Sequence, residues 1–442
     1  MRSGLSFFTM SLIEIETEII DLSHDGRGVA RLGGKAVFVA DALPGERVRA
    51  KTVRRHRQFD EAQSIEVLQA SPERVAPRCA HYGVCGGCAL QHLAPQAQIA
   101  AKQRVLVENF ARIGKVEPQR WLPPLTAEPW GYRRRARLSV KHVSKKGKVL
   151  VGFRERDPRF VADLLRCEVL DPALGERLDA LGALLNSLEG AAAIPQIEFS
   201  AGDDQRALVF RHLQPLSQAD RDKLIAFGRE HGFAILLQPG GVDSVYALYP
   251  ENVRLHYRLE EYDLDLEFAP LDFVQVNARL NARMIAQALS LLDPQPNERV
   301  LDLFCGLGNF SLPIARRAAF VCGVEGDAGL IERARANAAR NGIDNIEFVI
   351  GDLATDPRGA AWTREPFDEW LLDPPRTGAA ALLEHLPGKS VCRVVYVSCH
   401  PGSLARDADT LVHRHGFVLT AAGVMDMFPH TAHVESIAVF DR

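Results

Sequence analysis

No run of eighteen apolar residues occurs anywhere in the 442-residue chain, so no segment reads as a membrane-spanning helix. The first ten residues, MRSGLSFFTM, hold one Arg and a short apolar patch, and acidic Glu14, Glu16 and Glu18 follow. A secretory leader needs about 7–15 apolar residues in its core and a small-residue cleavage site, and neither is there. A cytoplasmic location is expected, with the start at Met1 or Met10. Internal repeats and low-complexity tracts are also missing, which excludes a solenoid. With 47% hydrophobic and 25% charged residues, the composition excludes a mostly disordered or fibrous chain. At roughly 150 residues per domain the length suggests three domains.

Net charge is scarce too, only −3, but that average covers unlike segments. Residues 131–160 hold eleven Lys or Arg, among them Arg133, Arg134, Arg135, Arg137, Lys141, Lys145 and Arg154, against Glu155 and Asp157 alone. A second basic run is Lys51, Arg54, Arg55 and Arg57. A charge run is often just a solvated face. Nine excess positive charges in one stretch of an acidic protein repel one another unless a polyanion neutralises them, which points to nucleic acid.

The eight cysteines do not read as disulfide staples, which a cytoplasmic chain of this size does not need. Three cluster inside CAHYGVCGGC as Cys79, Cys85 and Cys88, and Gly83, Gly86 and Gly87 let that loop curl around one point. Cys167, in LLRCEVLDP, is the expected fourth ligand. Metal is favoured over a plain loop with buried thiols. The spacing suits tetrahedral zinc and a four-iron cluster equally.

Residues 12–69 alternate as short strands punctuated by Gly and Pro (IEIETEIIDLS, GRGVARLGG, KAVFVADALPG, ERVRAKTVRR), the pattern of a small OB-like barrel. Residues 95–113 have helical periodicity. From about residue 273 strands and helices alternate regularly. The expected strands are ERVLDLF, AAFVCGVE, IEFVIGD, EWLLD, VCRVVYVSC and ESIAVF, and the expected helices are 309–317, 327–341, 378–386 and 402–415. Such alternation predicts a mostly parallel, doubly wound sheet that binds ligands at the carboxyl ends of its strands.

The first of those strands runs into Asp302, Phe304, Cys305, Gly306, Gly308 and Asn309, where the glycines let an adenosine-bearing ligand approach the backbone. Glu325 ends the next strand, placed to accept ribose hydroxyls, and Asp352 ends the third, placed at an adenine edge. No complete pyrophosphate-binding loop is present, so S-adenosylmethionine is favoured over NAD. The bland alternative for each acid is a helix cap.

The fourth strand ends in Asp373-Pro-Pro-Arg376, and an Arg where amino-group methyltransferases usually place an aromatic argues against nitrogen methylation. The fifth ends in Ser398-Cys399-His400-Pro401, and His433-Val-Glu435 leads into the last. A cysteine and a carboxylate over a methyl-donor site define a chemistry. Carbon 5 of uracil is a poor nucleophile until a thiolate adds at carbon 6. After methyl transfer a base must take the carbon 5 proton so that the thiolate can leave. Cys399 fits the nucleophile, Glu435 the base, and Asp373 a group that holds the site or the base. The target must leave its helix to be reached.

FVQVN (273–277), DLFCGLGN, DPPR, SCHP and HVE stand in the order seen in RNA uracil-C5 methyltransferases, which the chain resembles over nearly its whole length. That resemblance implies that Gln275, Phe304, Asn309, Glu325, Asp352 and Asp373 contact S-adenosylmethionine and that Phe273 stacks near the displaced base. The N-terminal segment resembles the TRAM domain, and Cys79, Cys85, Cys88 and Cys167 resemble the [4Fe-4S] site of the branch acting on 23S ribosomal RNA, whose target is uracil-1939. Relatives often carry Asn at His400. The implied architecture is multidomain: a TRAM β-barrel (12–70), a central α/β domain with the iron–sulfur site and basic segment (71–270), and a Rossmann-like methyltransferase domain (271–442). The helix near 95–113 is expected to pack on the last of these. The expected partner is 23S ribosomal RNA, with no DNA, no membrane and a monomeric chain. Alternatives are another 23S site or a transfer RNA as target, a cytosine-C5 RNA methyltransferase, and an RNA-binding protein with an inactive methyltransferase fold.

Overall fold

In the computed structural model, residues 13–363, 366–384 and 390–442 are described. Met1, Met10 and the end of the helix expected at 378–386 lie outside them. The chain forms two compact units.

The first unit holds the described residues through Gly83, with Cys88–Ala101 and His430–Ala432. Its six-stranded sheet runs in the order Glu14–Glu18, Arg47–Arg55, Phe59–Gln69, Lys35–Ala40, Gly28–Leu32, Asp21–Leu22. Alternation does the folding here: Val37, Val39, Val48, Ala50 and Ala62 point one way into a small core with Ile19 and Ala30. The long strand Phe59–Gln69 was not separable by pattern, because only Ala62 of its eleven residues is fully buried. Glu46 is wholly buried and accepts hydrogen bonds from Leu43 N (2.8 Å), Ser71 N (3.2 Å) and the Arg74 guanidinium. Burial alone would push its carboxyl up, but those donors outweigh it and hold it below the usual range.

The second unit comprises Val84–Gly87, Lys102–Pro429 and His433–Arg442. Residues expected as a separate central domain build a six-stranded sheet here, in the order Tyr246–Tyr249, Phe233–Gln238, Arg206–Arg211, Gln196–Ala201, Arg135–Val143, Lys148–Gly152. Side chains of Leu178, Leu181, Leu185 and Leu224, from the helices Leu178–Ser187 and Gln218–His231, join its core.

A second sheet of eight strands carries the sequence motifs. Its order is Ile346–Ile350, Phe320–Glu325, Arg299–Leu303, Glu369–Leu372, Arg393–Ser398, Glu435–Asp441, Val418–Met425, Arg120–Trp121. The first five are parallel, and Glu435–Asp441 runs antiparallel to both its neighbours. All six expected strands are present. Val418–Met425 and the two-residue edge strand Arg120–Trp121 were not anticipated. Helices Ala278–Leu292, Ser311–Ala315, Ala328–Arg340 and Pro401–Asp409 flank this sheet's strands in sequence. Asn277, the last letter of FVQVN, caps the first of them by accepting from Leu280 N at 3.1 Å. Among the described residues no helix is long and apolar enough to cross a membrane.

The basic segment is partly turned inward, which corrects the picture of one continuous cationic face. Arg134 is 5% exposed, donates Nε to Gln275 O at 2.8 Å and lies over the Tyr257 ring. Arg135 donates to Leu271 O at 2.6 Å, and Arg133 to Arg135 O at 3.0 Å. These cations tie the strand Arg135–Val143 to the stretch leading into the catalytic sheet. Arg137, Lys141, Lys145, Arg154 and Arg159 are the exposed cations among the segment's described residues.

Candidate active site

Every residue expected at the methyl-donor and catalytic sites lies in the second unit, and Phe304, Glu325, Asp352, Asp373 and Cys399 stand at or just beyond the carboxyl ends of parallel strands. After Arg299–Leu303 the chain must turn at once, and three residues do so with left-handed backbone: Phe304 (φ 66°), Gly306 (57°) and Gly308 (96°). Such a conformation costs a residue with a Cβ, so Phe304 is held there. Its N–H and that of Cys305 both donate to Val324 O, at 2.9 and 3.1 Å. A Cβ on Gly306 would meet nothing within 4 Å, whereas one on Gly308 would sit 3.1 Å from Leu312 Cγ. Gly306 therefore leaves open space beside the loop, the cradle an adenosyl group needs.

Glu325 ends the neighbouring strand with its carboxylate fixed from two sides. Gly306 N donates to one oxygen at 3.2 Å, and Gly326 N and Asp327 N to the other at 2.7 and 3.1 Å. Asp352 is exposed beyond the third strand and accepts from Ala354 N at 2.9 Å. Gln275 is half-buried, and Phe273 is 65% exposed, unusual for a large aromatic. Asn309 is brought to the same loop, but its amide is committed elsewhere: its oxygen accepts from Tyr257 (2.9 Å) and Asn281 (2.9 Å), and its nitrogen donates to Asn281 at 3.0 Å.

Ladder register brings together the pair expected to be catalytic. Ser398 pairs with Ser436 across the antiparallel rung, so Cys399, one step beyond its strand, stands opposite Glu435, the first residue of the other. His400 caps the helix Pro401–Asp409: its Nδ1 accepts from Ser403 N at 3.1 Å. The ring thus does what an Asn side chain does at an N-cap.

Burial dominates the electrostatics. It pushes the Cys399 thiol up to about 11, with Glu435 and Asp373 adding to the rise and Arg376 opposing it. Glu435, 7% exposed, is pushed up to about 8 by burial and by Asp373, against Lys102 and Arg376. Burial alone pushes Asp373 up to about 7. Asp302, wholly buried under the glycine loop and bonded by Ser311 Oγ, is also pushed up to about 7. Neither Asp302 nor Lys102 was picked out as a functional residue from sequence. Asp302 was seen only as a strand end, and a lysine inside a periodic helix carries no signal.

Of the four cysteines expected to hold a cluster, Cys79 and Cys88 belong to the first unit and Cys85 and Cys167 to the second. All four are half-buried. Cys79 N donates to Gln91 Oε1 at 3.1 Å. Cys85 and Cys167 pack against the core of the central sheet, and Gly87 N donates to Cys85 Sγ at 3.4 Å. Among the described residues, no group of three or more His, Cys, Asp or Glu is gathered so as to hold a metal ion. The donor chemistry fits a thiolate-bound centre, while the described arrangement does not itself gather one.

The model of the tRNA (Uracil-5-)-methyltransferase family matches residues 97–442, and that of the TRAM domain matches residues 14–64. The 23S rRNA (uracil(1939)-C(5))-methyltransferase RlmD of Xanthomonas oryzae pv. oryzae is 62% identical over 430 residues, 97% of each chain. Its namesake from Xylella fastidiosa is also 62% identical over 430 residues, again 97% of each. The crystal structure of Pyrococcus abyssi tRNA (uracil-54, C5)-methyltransferase in complex with S-adenosyl-L-homocysteine matches with a TM-score of 0.73 at 23% identity, covering 96% of this chain and 100% of that one. The N-terminal sheet is a TRAM domain, and the eight-stranded sheet has the fold of S-adenosylmethionine-dependent methyltransferases. With a family model covering most of its length and relatives this similar end to end, the chain belongs to the tRNA (uracil-5-)-methyltransferase family.

Proposed function

We propose that this protein transfers a methyl group from S-adenosylmethionine to carbon 5 of uracil-1939 in 23S ribosomal RNA, giving 5-methyluridine. The rung that sets Cys399 opposite Glu435 carries the reading, in a chain 62% identical to proteins named for that activity. Bound in the cradle, the donor supplies an electrophilic sulfonium methyl. Glu325 and Asp352 hold its ribose and adenine edges, Gln275, Phe304 and Asp373 complete the contact, and Asn309 acts through the loop it anchors to Asn281 and Tyr257.

Cys399 loses its thiol proton to water and adds as the thiolate to carbon 6, which turns carbon 5 into an enolate carbon that takes the methyl group. Glu435 then accepts the carbon 5 proton, the bond from carbon 6 to Cys399 breaks, and the ring's double bond returns. Asp373 and Arg376 set the field around both groups. Phe273, the exposed first residue of FVQVN, stacks near the displaced base.

RNA is held by the outward cations. If Lys141, Lys145 and Arg154 contact phosphates, affinity falls steeply with salt, by roughly 0.7 per contact in log–log slope on single strands. Replacing all three by Ala should flatten that slope by about 2 without changing the melting temperature. An unchanged slope would leave the stretch a solvated face.

Cys79, Cys85, Cys88 and Cys167 are proposed to bind a [4Fe-4S] cluster, supported by four half-buried thiols and the N–H donated to Cys85 sulfur. Four occupied cysteine ligands leave no open position for chemistry, so its role is to hold the loop. Protein purified without oxygen should be brown and contain iron and sulfide, both lost in Cys88→Ala. Stoichiometric zinc without iron would replace the cluster by a zinc site.

A further inference from the structure

The helix Pro95–Asn109 carries no motif, yet it sends a buried charge toward the catalytic carboxylates. Lys102 is 2% exposed, and its Nζ donates to Asp426 Oδ1 at 2.7 Å and to Phe428 O at 3.0 Å. Both partners lie in the connection between the strands Val418–Met425 and Glu435–Asp441. Met425 pairs in register with Glu435, so that connection leaves and returns at one rung. Lys102 bonds inside it, just before the chain reaches Glu435.

We propose that Lys102 is a positioning residue for Glu435: it pins the loop from which the Glu435 strand begins and supplies the positive charge that lets this carboxylate ionise. The inference rests on the reading of Glu435 as the base that takes the carbon 5 proton. A base must be ionised when needed, and burial works against that. The charged and titratable groups around Glu435 are Asp373 at the end of Glu369–Leu372, Arg376 in the turn after it, Cys399 opposite, His433 two residues earlier and Lys102 from the helix. Asp373 opposes its ionisation, while Lys102 and Arg376 favour it. Arg376 is exposed, so water and salt weaken its field. Lys102 is almost wholly enclosed, so its field is weakened far less. Burial lowers the lysine's own pKa, and Asp426 and Glu435 raise it in return. Asp426 keeps Lys102 charged and in place, and the charge of Lys102 is felt at Glu435.

The test follows single-turnover methylation and the covalent RNA–protein adduct across about pH 6 to 10. It compares wild type, Lys102→Met, Asp426→Asn and the double variant Lys102→Met/Asp426→Asn. Lys102→Met leaves Asp426 buried without its partner and is expected to fold poorly. The double variant removes both charges and keeps the fold testable. In it, breakdown of the methylated adduct should fall roughly tenfold at pH 7 for each pH unit by which the Glu435 ionisation moves up. It should recover toward the wild-type rate at high pH. Asp426→Asn, which keeps the lysine, should not move the profile upward. An equal rate loss at every pH, with the profile unmoved, would make Lys102 a structural residue only and overturn the proposal. Glu435→Gln separates the two levels. If that variant turns over normally, the base assignment itself fails. If it stalls while the double variant's profile stays in place, only the role of Lys102 fails.

Discussion

Glu435→Gln should accumulate RNA covalently attached to Cys399 with the methyl group already in place. The amide keeps the size of the carboxyl but cannot accept the carbon 5 proton. Addition of the thiolate and methyl transfer do not need that base, so both should proceed, and elimination alone should stall. Cys399→Ala removes the nucleophile, and neither adduct nor 5-methyluridine should form. Base catalysis typically contributes about 10²–10⁴ in rate, so the trapped species should persist for many wild-type turnover times. Incubating each variant with S-adenosylmethionine and an RNA fragment, then running denaturing gels and mass spectrometry, reads both outcomes. Free 5-methyluridine at the wild-type rate from Glu435→Gln would assign the base to another residue.

The second large effect lies at the opposite end of the same sheet. Glu369 begins the strand Glu369–Leu372, is 3% exposed, and its Oε2 has no hydrogen-bond partner. Burial and the neighbouring Glu298 push its carboxyl up to about 8, against Arg393. The folded state therefore holds a proton that the unfolded chain has already released. Stability should be unaffected below about pH 4.5 and should fall as pH rises from there to about 8. Glu369→Gln cannot ionise and escapes that loss. It should be more stable than wild type by on the order of 5 kcal/mol above pH 8 and no more stable at pH 4, with methylation unchanged. Denaturant titrations at both pH values measure the difference. An equal effect at the two would mean that ionisation of Glu369 is not what costs stability.

What the sequence disclosed follows from what local pattern can encode. Strand ends such as Leu303-Phe304 and Leu372-Asp373 were legible because apolar runs stop abruptly at Gly, Pro or acid. The order of motifs then put Cys399 and Glu435 at one sheet edge. Their pairing across a rung was not legible, because register between strands 37 residues apart is set by packing. The strand Val418–Met425 hides between a π-helical turn and a loop, and Arg120–Trp121 is too short to show a period. Partners far apart in sequence were equally out of reach. Asn309 reads as a ligand contact, and its bonds to Asn281 and Tyr257 could not be read from sequence. Arg134 reads as a phosphate contact, yet it is buried over Tyr257. A run of arginines has the same sequence signature whether it faces water or a ring.

The antiparallel strand that delivers Glu435 is wedged between Arg393–Ser398 and Val418–Met425, so it can be laid down only after both have been made. Domains tend to fold as their chains emerge, from the N-terminus onward. A chain still being synthesised can thus present its TRAM sheet, its glycine loop and even Cys399, but not the proposed base. Translation order makes release of the RNA the last capability acquired. A product arrested before Glu435 would have Cys399 without the proposed base.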